Sequence, residues 1–163
     1  MHACAEEPDS LGIVPLPEIE ERGTPWWSQL APAGQPGPRV LARLPFIADG
    51  EEIQVSAYAL GAAEQEPSGD DTTLLRLETA GNLSRARVTA LLKEAGFDAK
   101  LISAGRSAEK SGAGLALVAI RGFVATTDPR LAALRDVAGE QIASADPVGG
   151  FANPVTIASR GPQ

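Results

Sequence analysis

The stretch "TLLRLETAGNLSRARVTALLKEAGFDAKLISA", Thr73 to Ala104, decides the fold. It opens as a short apolar strand pattern, "TLLRLETA", and then changes period. In "GNLSRARVTALLKEAGF", Ser84, Val88, Leu91, Leu92 and Ala95 fall on one side of a helix, with Arg85 and Lys93 turned elsewhere. Asn82 is the expected N-cap, and Gly96 the expected stop. "DAKLISA" resumes as a strand.

Downstream the alternation repeats. A polar loop, "GRSAEKSGAG", leads to a third strand in "LALVAIRGFV". Asp128 caps a second helix, "DPRLAALRDVAG", with Pro129 at its first position and Leu131, Leu134 and Ala138 on one side. "EQIASADPV" is a fourth strand, and "GGFANPVTIASRGPQ" is read as a trailing segment. The order strand, helix, strand, strand, helix, strand from Thr72 onward is the ferredoxin-like βαββαβ arrangement, an antiparallel four-stranded sheet with both helices on one face. Such a sheet leaves edges and one face open, so a homodimer is expected.

Upstream the pattern is less regular, and most of the 13 prolines lie there. "LGIVPLP", 11–17, reads as a short buried strand closed by prolines. Thr24 and Pro25 can open a short helix. "RVLARLPF", 39–46, is a strand. In "IQVSAYAL", 53–60, Ile53, Val55, Ala57 and Ala59 alternate with Gln54, Ser56, Tyr58 and Leu60, as in a half-buried strand. "GAAEQEPSGDD" follows as a connector. The expected division is a small strand-rich lobe over 1–62, a linker over 63–71, the βαββαβ domain over 72–154 and a tail over 155–163; the fold class is α+β.

Composition removes several function classes. The formal charge of −7 does not suit a phosphate-backbone binder, so no nucleic-acid partner is expected. One cysteine, Cys4, allows neither an intrachain disulfide nor a thiolate metal site. One histidine, His2, lies near the end of the sequence, away from any Ser-His-Asp or Cys-His pattern. The glycines of "SGAGLA" do not open a helix after a strand, so no nucleotide site is expected; with one Cys and one His no metal site is expected, nor any other cofactor. "MHACAEEPDS" lacks a basic region leading into an apolar run, and "GLALVAI" is too short to cross a bilayer. A cytoplasmic location without membrane contact is expected. Of Trp26 and Trp27, one is expected to plug a small core and the other to cover it; the pairs Glu20-Glu21 and Asp70-Asp71 are expected on a solvated surface.

"PSGDDTTLLRLE", "AGFDAKLIS" and "VAIRGFVATTDPRLAALRDV" together resemble the C-terminal regulatory (ACT) domain of prephenate dehydratases. That family, often fused to chorismate mutase, serves phenylalanine biosynthesis. The pattern covers 72–154. "LGIVPLPE" more weakly resembles the strand lining the family's prephenate cleft, and "VGGFANP" the family's usual ending. The resemblance implies an ACT-type domain preceded by part of a periplasmic-binding-protein-like lobe, and a chain that is the back end of a longer fusion. The family's catalytic Thr-Arg-Phe triplet falls on Val55, Ser56 and Ala57. The proton donor and the guanidinium are thereby lost, and Ser56 lies one residue off, on the opposite strand face. The family's amino-acid-binding turn falls on Gly81, Asn82 and Leu83. Its "ESRP" partner falls on Ile102, Ser103, Ala104 and Gly105, of which Ser103 keeps a polar group. The implied function is a non-catalytic regulatory or interaction module of aromatic amino acid biosynthesis, inactive as an enzyme alone, with Gly81, Asn82, Leu83 and Ser103 as ligand-binding positions for an aromatic amino acid. A residual prephenate dehydratase or mutase-dehydratase fragment, and a bare dimerisation domain, are the alternatives.

Overall fold

The structure is a computed structural model and describes residues 10–20, 22–49, 56–81, 83–108 and 112–157. His2, Cys4, Glu21, Ile53, Val55 and Asn82 lie outside those residues. The chain is an α+β fold with strands β1 (Gly12–Pro15), β2 (Arg39–Leu44), β3 (Ile47–Asp49), β4 (Ala57–Gly61), β5 (Asp71–Thr79), β6 (Ala99–Arg106), β7 (Gly114–Arg121), β8 (Ile142–Ala152) and β9 (Val155–Ile157). The helices are α1 (Arg85–Glu94) and α2 (Pro129–Ala138).

From β5 to β8 the element order is β-α-β-β-α-β, and the four strands lie in the order β8-β5-β7-β6 with every neighbour antiparallel. Both helices end and begin for local reasons. Ser84, rather than the expected Asn82, is the N-cap of α1; its hydroxyl accepts from the Arg87 N–H. At the other end Gly96, at φ +87°, lets its N–H reach Lys93 O while the Phe97 N–H reaches Leu92 O. These two bonds satisfy the last carbonyls as a Schellman motif. Asp128 caps α2, and Pro129 stands at its start, as the sequence predicts. The apolar sides Val88, Leu91, Leu92 and Leu131, Leu134, Ala138 pack on Leu75, Leu77, Ala116, Val118 and Ile120 of β5 and β7.

The sheet does not stop there. β2 joins β8 in parallel through the Val40–Gly149 pair, and β4 and β1 continue it, giving the mixed seven-stranded order β1-β4-β2-β8-β5-β7-β6. It must curl. Seven strands enclose six gaps of about 4.8 Å, so a flat sheet would be about 29 Å wide. Yet Glu20 bridges Ala104 of β6 only five residues after β1 ends at Pro15, a reach of about 17 Å at most.

The curl encloses a second core. Alternate residues of β5, β7 and β8 point away from the helices, and there Leu74, Leu115, Leu117, Val148 and Phe151 pack with Trp27, Leu30, Val40, Tyr58 and Leu60. Trp27 is fully buried and Trp26 half-buried, which matches the expected plug and cover. The face of the four-stranded unit expected to be open is therefore covered by the chain's own N-terminal segment. Arg76 fastens this cover, donating to Ser28 O and Leu30 O at 2.8 Å each.

Several local expectations change. β1 is an edge strand rather than a buried one, with Ile13 exposed. β4 is an interior strand between β1 and β2, buried at Tyr58, Ala59 and Leu60, with Tyr58 and Leu60 in the second core. Pro25 caps a 3-10 turn, Trp26–Gln29, instead of starting a helix after Thr24. Asp71 is buried rather than solvated: its carboxylate accepts from Ser68 N, Ser68 Oγ and Gly69 N, and so folds the turn that enters β5. The segment read as trailing supplies β9, which pairs in parallel with β3.

Candidate functional site

Where β5 hands over to α1, the Leu83 N–H returns to Ala80 O and the chain meets the outer strand β6. A groove of about 670 Å³ opens there, lined by Leu83, Ser84 and Arg85, by Ala104 to Ala108, and by Glu20, Gly23 and Thr24 of the N-terminal segment. Arg85 stands in the first turn of α1, and its Nη2 donates to Glu20 Oε1 at 2.8 Å and to Ile19 O at 3.4 Å. Both side chains are largely exposed, 44% and 83%, so the pair is solvated and adds little to stability. The same exposure leaves a cation and an anion side by side and open to a ligand.

Beneath the groove lies a pocket of about 90 Å³ whose walls include Gly81, Leu83, Val88, Leu101 and Gly105. It shares Leu83, Arg85, Ala104 and Gly105 with the groove, so it is a narrow extension of it. Gly105 lets the N-terminal segment close on β6: a Cβ there would lie 2.4 Å from Pro25 Cγ.

Of the positions implied by the resemblance, Gly81 and Leu83 come together around this pocket, and Asn82 lies outside the described residues. Ser103 is turned elsewhere. A register shift between Leu101 and Ser103 places Leu101 opposite Val118, on the helix side, and Ser103 opposite Leu117, inside the curl. There Ser103 is fully buried and accepts the Trp27 indole N–H at 3.2 Å. Its hydroxyl holds the cover segment in place. Ser56 precedes β4 half-buried, and Ala57 begins that strand between Pro15 and Leu44.

The pairing of Glu20 with Arg85 was missed by sequence reasoning, which put Glu20 on solvated surface and turned Arg85 away from the apolar side of its helix; a contact 65 residues apart carries no local signal. A second cavity of about 450 Å³, lined by Ser28, Arg76, Glu78, Ser107 and Ser144 among others, surrounds the Arg76 clamp. Asp146 Oδ2 lies 3.5 Å from Arg76 Nη2, so this cation is already engaged by the cover segment and by β8. Among the described residues no group of three or more His, Cys, Asp or Glu side chains could hold a metal ion. No helix among them is long and apolar enough to cross a membrane.

Compared with models of protein families, with curated proteins and with solved structures, the chain matches none.

Proposed function

We propose that this chain is a non-catalytic binding module that takes a free amino acid in the groove between α1 and β6, as an ACT-type regulatory domain would. The observation that carries the reading is the exposed Arg85–Glu20 pair at the mouth of an uncollapsed groove. A zwitterion presents one carboxylate and one ammonium a few ångströms apart. Arg85 and the first turn of a helix suit the carboxylate, and Glu20 suits the ammonium. The groove is much the larger of the two spaces, so an aromatic side chain would lie along it beside Gly105 and Arg106. Both charges must first leave each other, and both are hydrated, so affinity near millimolar, about −4 kcal/mol, is expected.

Calorimetric titration with phenylalanine, tyrosine and tryptophan tests this. Arg85→Ala and Glu20→Ala should each remove the heat of binding while leaving the unfolding midpoint unchanged, because neither side chain is in the core. Binding that survives both substitutions would place the site elsewhere. The same protein should convert prephenate to phenylpyruvate no faster than buffer, since Ser56 and Ala57 offer neither a guanidinium nor the family's donor. Turnover abolished by Ser56→Ala would restore the enzymatic alternative.

A further inference from the structure

A different seam of the molecule holds another, chemically distinct cavity. It measures about 340 Å³ and lies where the loop after β7 approaches the N-terminal segment, with Ala33, Phe123, Val124 and Pro147 as apolar walls. Arg39, Glu64 and Gln65 line the same cavity, with Thr73 and Thr126, and the Thr73 hydroxyl is already engaged by Gly122 O and the Val124 N–H. Arg39 is 1% exposed, and Glu64 is its charged partner: Glu64 Oε1 contacts Arg39 Nη1 and also accepts the Gly34 N–H at 3.0 Å. The second amino group of Arg39, Nη2, donates to Gln35 O and, at 3.5 Å, to Pro32 O.

What remains unsatisfied has one chemical sign. The buried side-chain polar atoms without a hydrogen-bond partner, among the described residues, are Arg39 Nε, Arg39 Nη1 and Gln65 Nε2. All three are N–H donors, and both residues line this one cavity. Nη1 is in contact with the Glu64 carboxylate, so Arg39 Nε and Gln65 Nε2 are the buried donors that no group among the described residues meets. Buried donors left in this state are costly, and an acceptor brought to them recovers that cost. The acceptor the chain itself offers, Glu64, has a side chain 56% exposed, so it can leave for water.

We infer that the cavity binds a small organic monocarboxylate with an apolar body, its carboxylate displacing Glu64 from Arg39 and accepting from Gln65. A dianion such as a phosphate fits less well, because among the described residues Arg39 is the only cation lining the cavity, Glu64 adds a negative charge to it, and Ala33, Phe123, Val124 and Pro147 form an apolar wall. Glu64 then acts as a tethered competitor that fills the cationic end of the empty site.

Hexanoate and phenylacetate serve as probes, with hexanol as the neutral control, followed by amide NMR shifts and calorimetry. Both acids should shift Phe123 to Thr126 and leave Leu83 to Arg85 unmoved, and hexanol should bind at least ten-fold more weakly. Glu64→Gln keeps the side-chain shape and removes the competing charge, so it should tighten both acids about ten-fold, a gain of about 1.4 kcal/mol. Arg39→Met should abolish binding of the acids; should that variant fail to fold, the Glu64→Gln comparison decides alone. Hexanol binding as well as hexanoate, or no gain in Glu64→Gln, overturns the proposal, as does an absence of shifts in both proteins.

Discussion

Gly149→Ala tests the feature that most distinguishes this fold, the junction between β2 and β8. Gly149 has φ +110° and forms the one pair, with Val40, through which the two halves of the sheet are joined. A Cβ at Gly149 would lie 2.1 Å from Val40 O, 2.5 Å from Val40 N and 2.9 Å from Val40 C. These are main-chain atoms in a sheet interior, so no side-chain rotation relieves the clash. Carbon and oxygen rest no closer than about 3.3 Å, so β2 must back away by about 1 Å. That movement loosens Val40, Tyr58 and Leu60 from Leu74, Val148 and Phe151. The left-handed backbone itself costs an alanine about 1–2 kcal/mol, and overpacking a core adds about 1–3 kcal/mol. Gly122→Ala separates the two contributions, because Gly122 has φ +96° and nothing within 4 Å of its virtual Cβ. Urea unfolding should therefore show Gly149→Ala less stable than Gly122→Ala by about 1–3 kcal/mol. Tryptophan fluorescence is the appropriate signal, since Trp26 and Trp27 both lie in the segment that the junction holds down. Equal losses in the two variants would refute the continuous seven-stranded sheet.

Acid should weaken the protein through Asp71 and Asp128. Burial raises the Asp71 pKa, but the Ser68 hydroxyl and N–H and the Gly69 N–H outweigh it and hold the carboxyl below its usual value. The Arg130 guanidinium does the same for Asp128. Both folded-state values lie below the unfolded value of about 3.9, so their stabilisation is complete above that pH and is lost as pH falls through the folded values. Urea midpoints measured from pH 7 to pH 2 should show Asp71→Asn destabilised by about 1 kcal/mol at neutrality, with the deficit shrinking in acid; a deficit constant with pH would defeat this account. A dimer is also expected, now on the ground of the β1 edge, where Leu11 and Ile13 are 70% and 62% exposed. Sedimentation should give a dimer that Ile13→Lys dissociates, and a wild-type monomer across a wide concentration range would count against it.

The parts of the fold legible in the sequence are those decided within one helical turn or one strand. Gly96 stops α1 because only its neighbours Leu92 and Lys93 are needed to close the motif, and Asp128 with Pro129 starts α2 in the same local way. The apolar period of each helix survives because both pack one side on the same sheet. Edge and interior were less legible. Gly12 to Pro15 and Ala57 to Gly61 look equally apolar, and which becomes the edge depends on β4 pairing both with β1, as in Gly12–Leu60, and with β2, as in Arg39–Gly61, contacts that neither segment's own pattern encodes. Ser103 shows the limit most sharply: a one-residue register shift against β7 carries its hydroxyl from the neighbourhood of Gly81 and Leu83 to Trp27.

One signal of the covered face was nevertheless present. In "LALVAI", Leu115, Leu117 and Ala119 are as apolar as Ala116, Val118 and Ile120, whereas a strand with one wet face alternates. The run requires a second cover, and the candidate was the segment carrying Trp27 and Leu30, the bulky apolar residues of the irregular region. This has a consequence for function. The groove needs Glu20 from the cover and Arg85 from α1; the Arg39 cavity needs Ala33 from the cover and Phe123 from the loop after β7. Each site is assembled only when the N-terminal segment is docked. A ligand in either one binds the docked state alone, and so must stabilise it by mass action. Reciprocally, any change that undocks Trp27 from Ser103 should weaken both sites together, although neither residue lines either cavity.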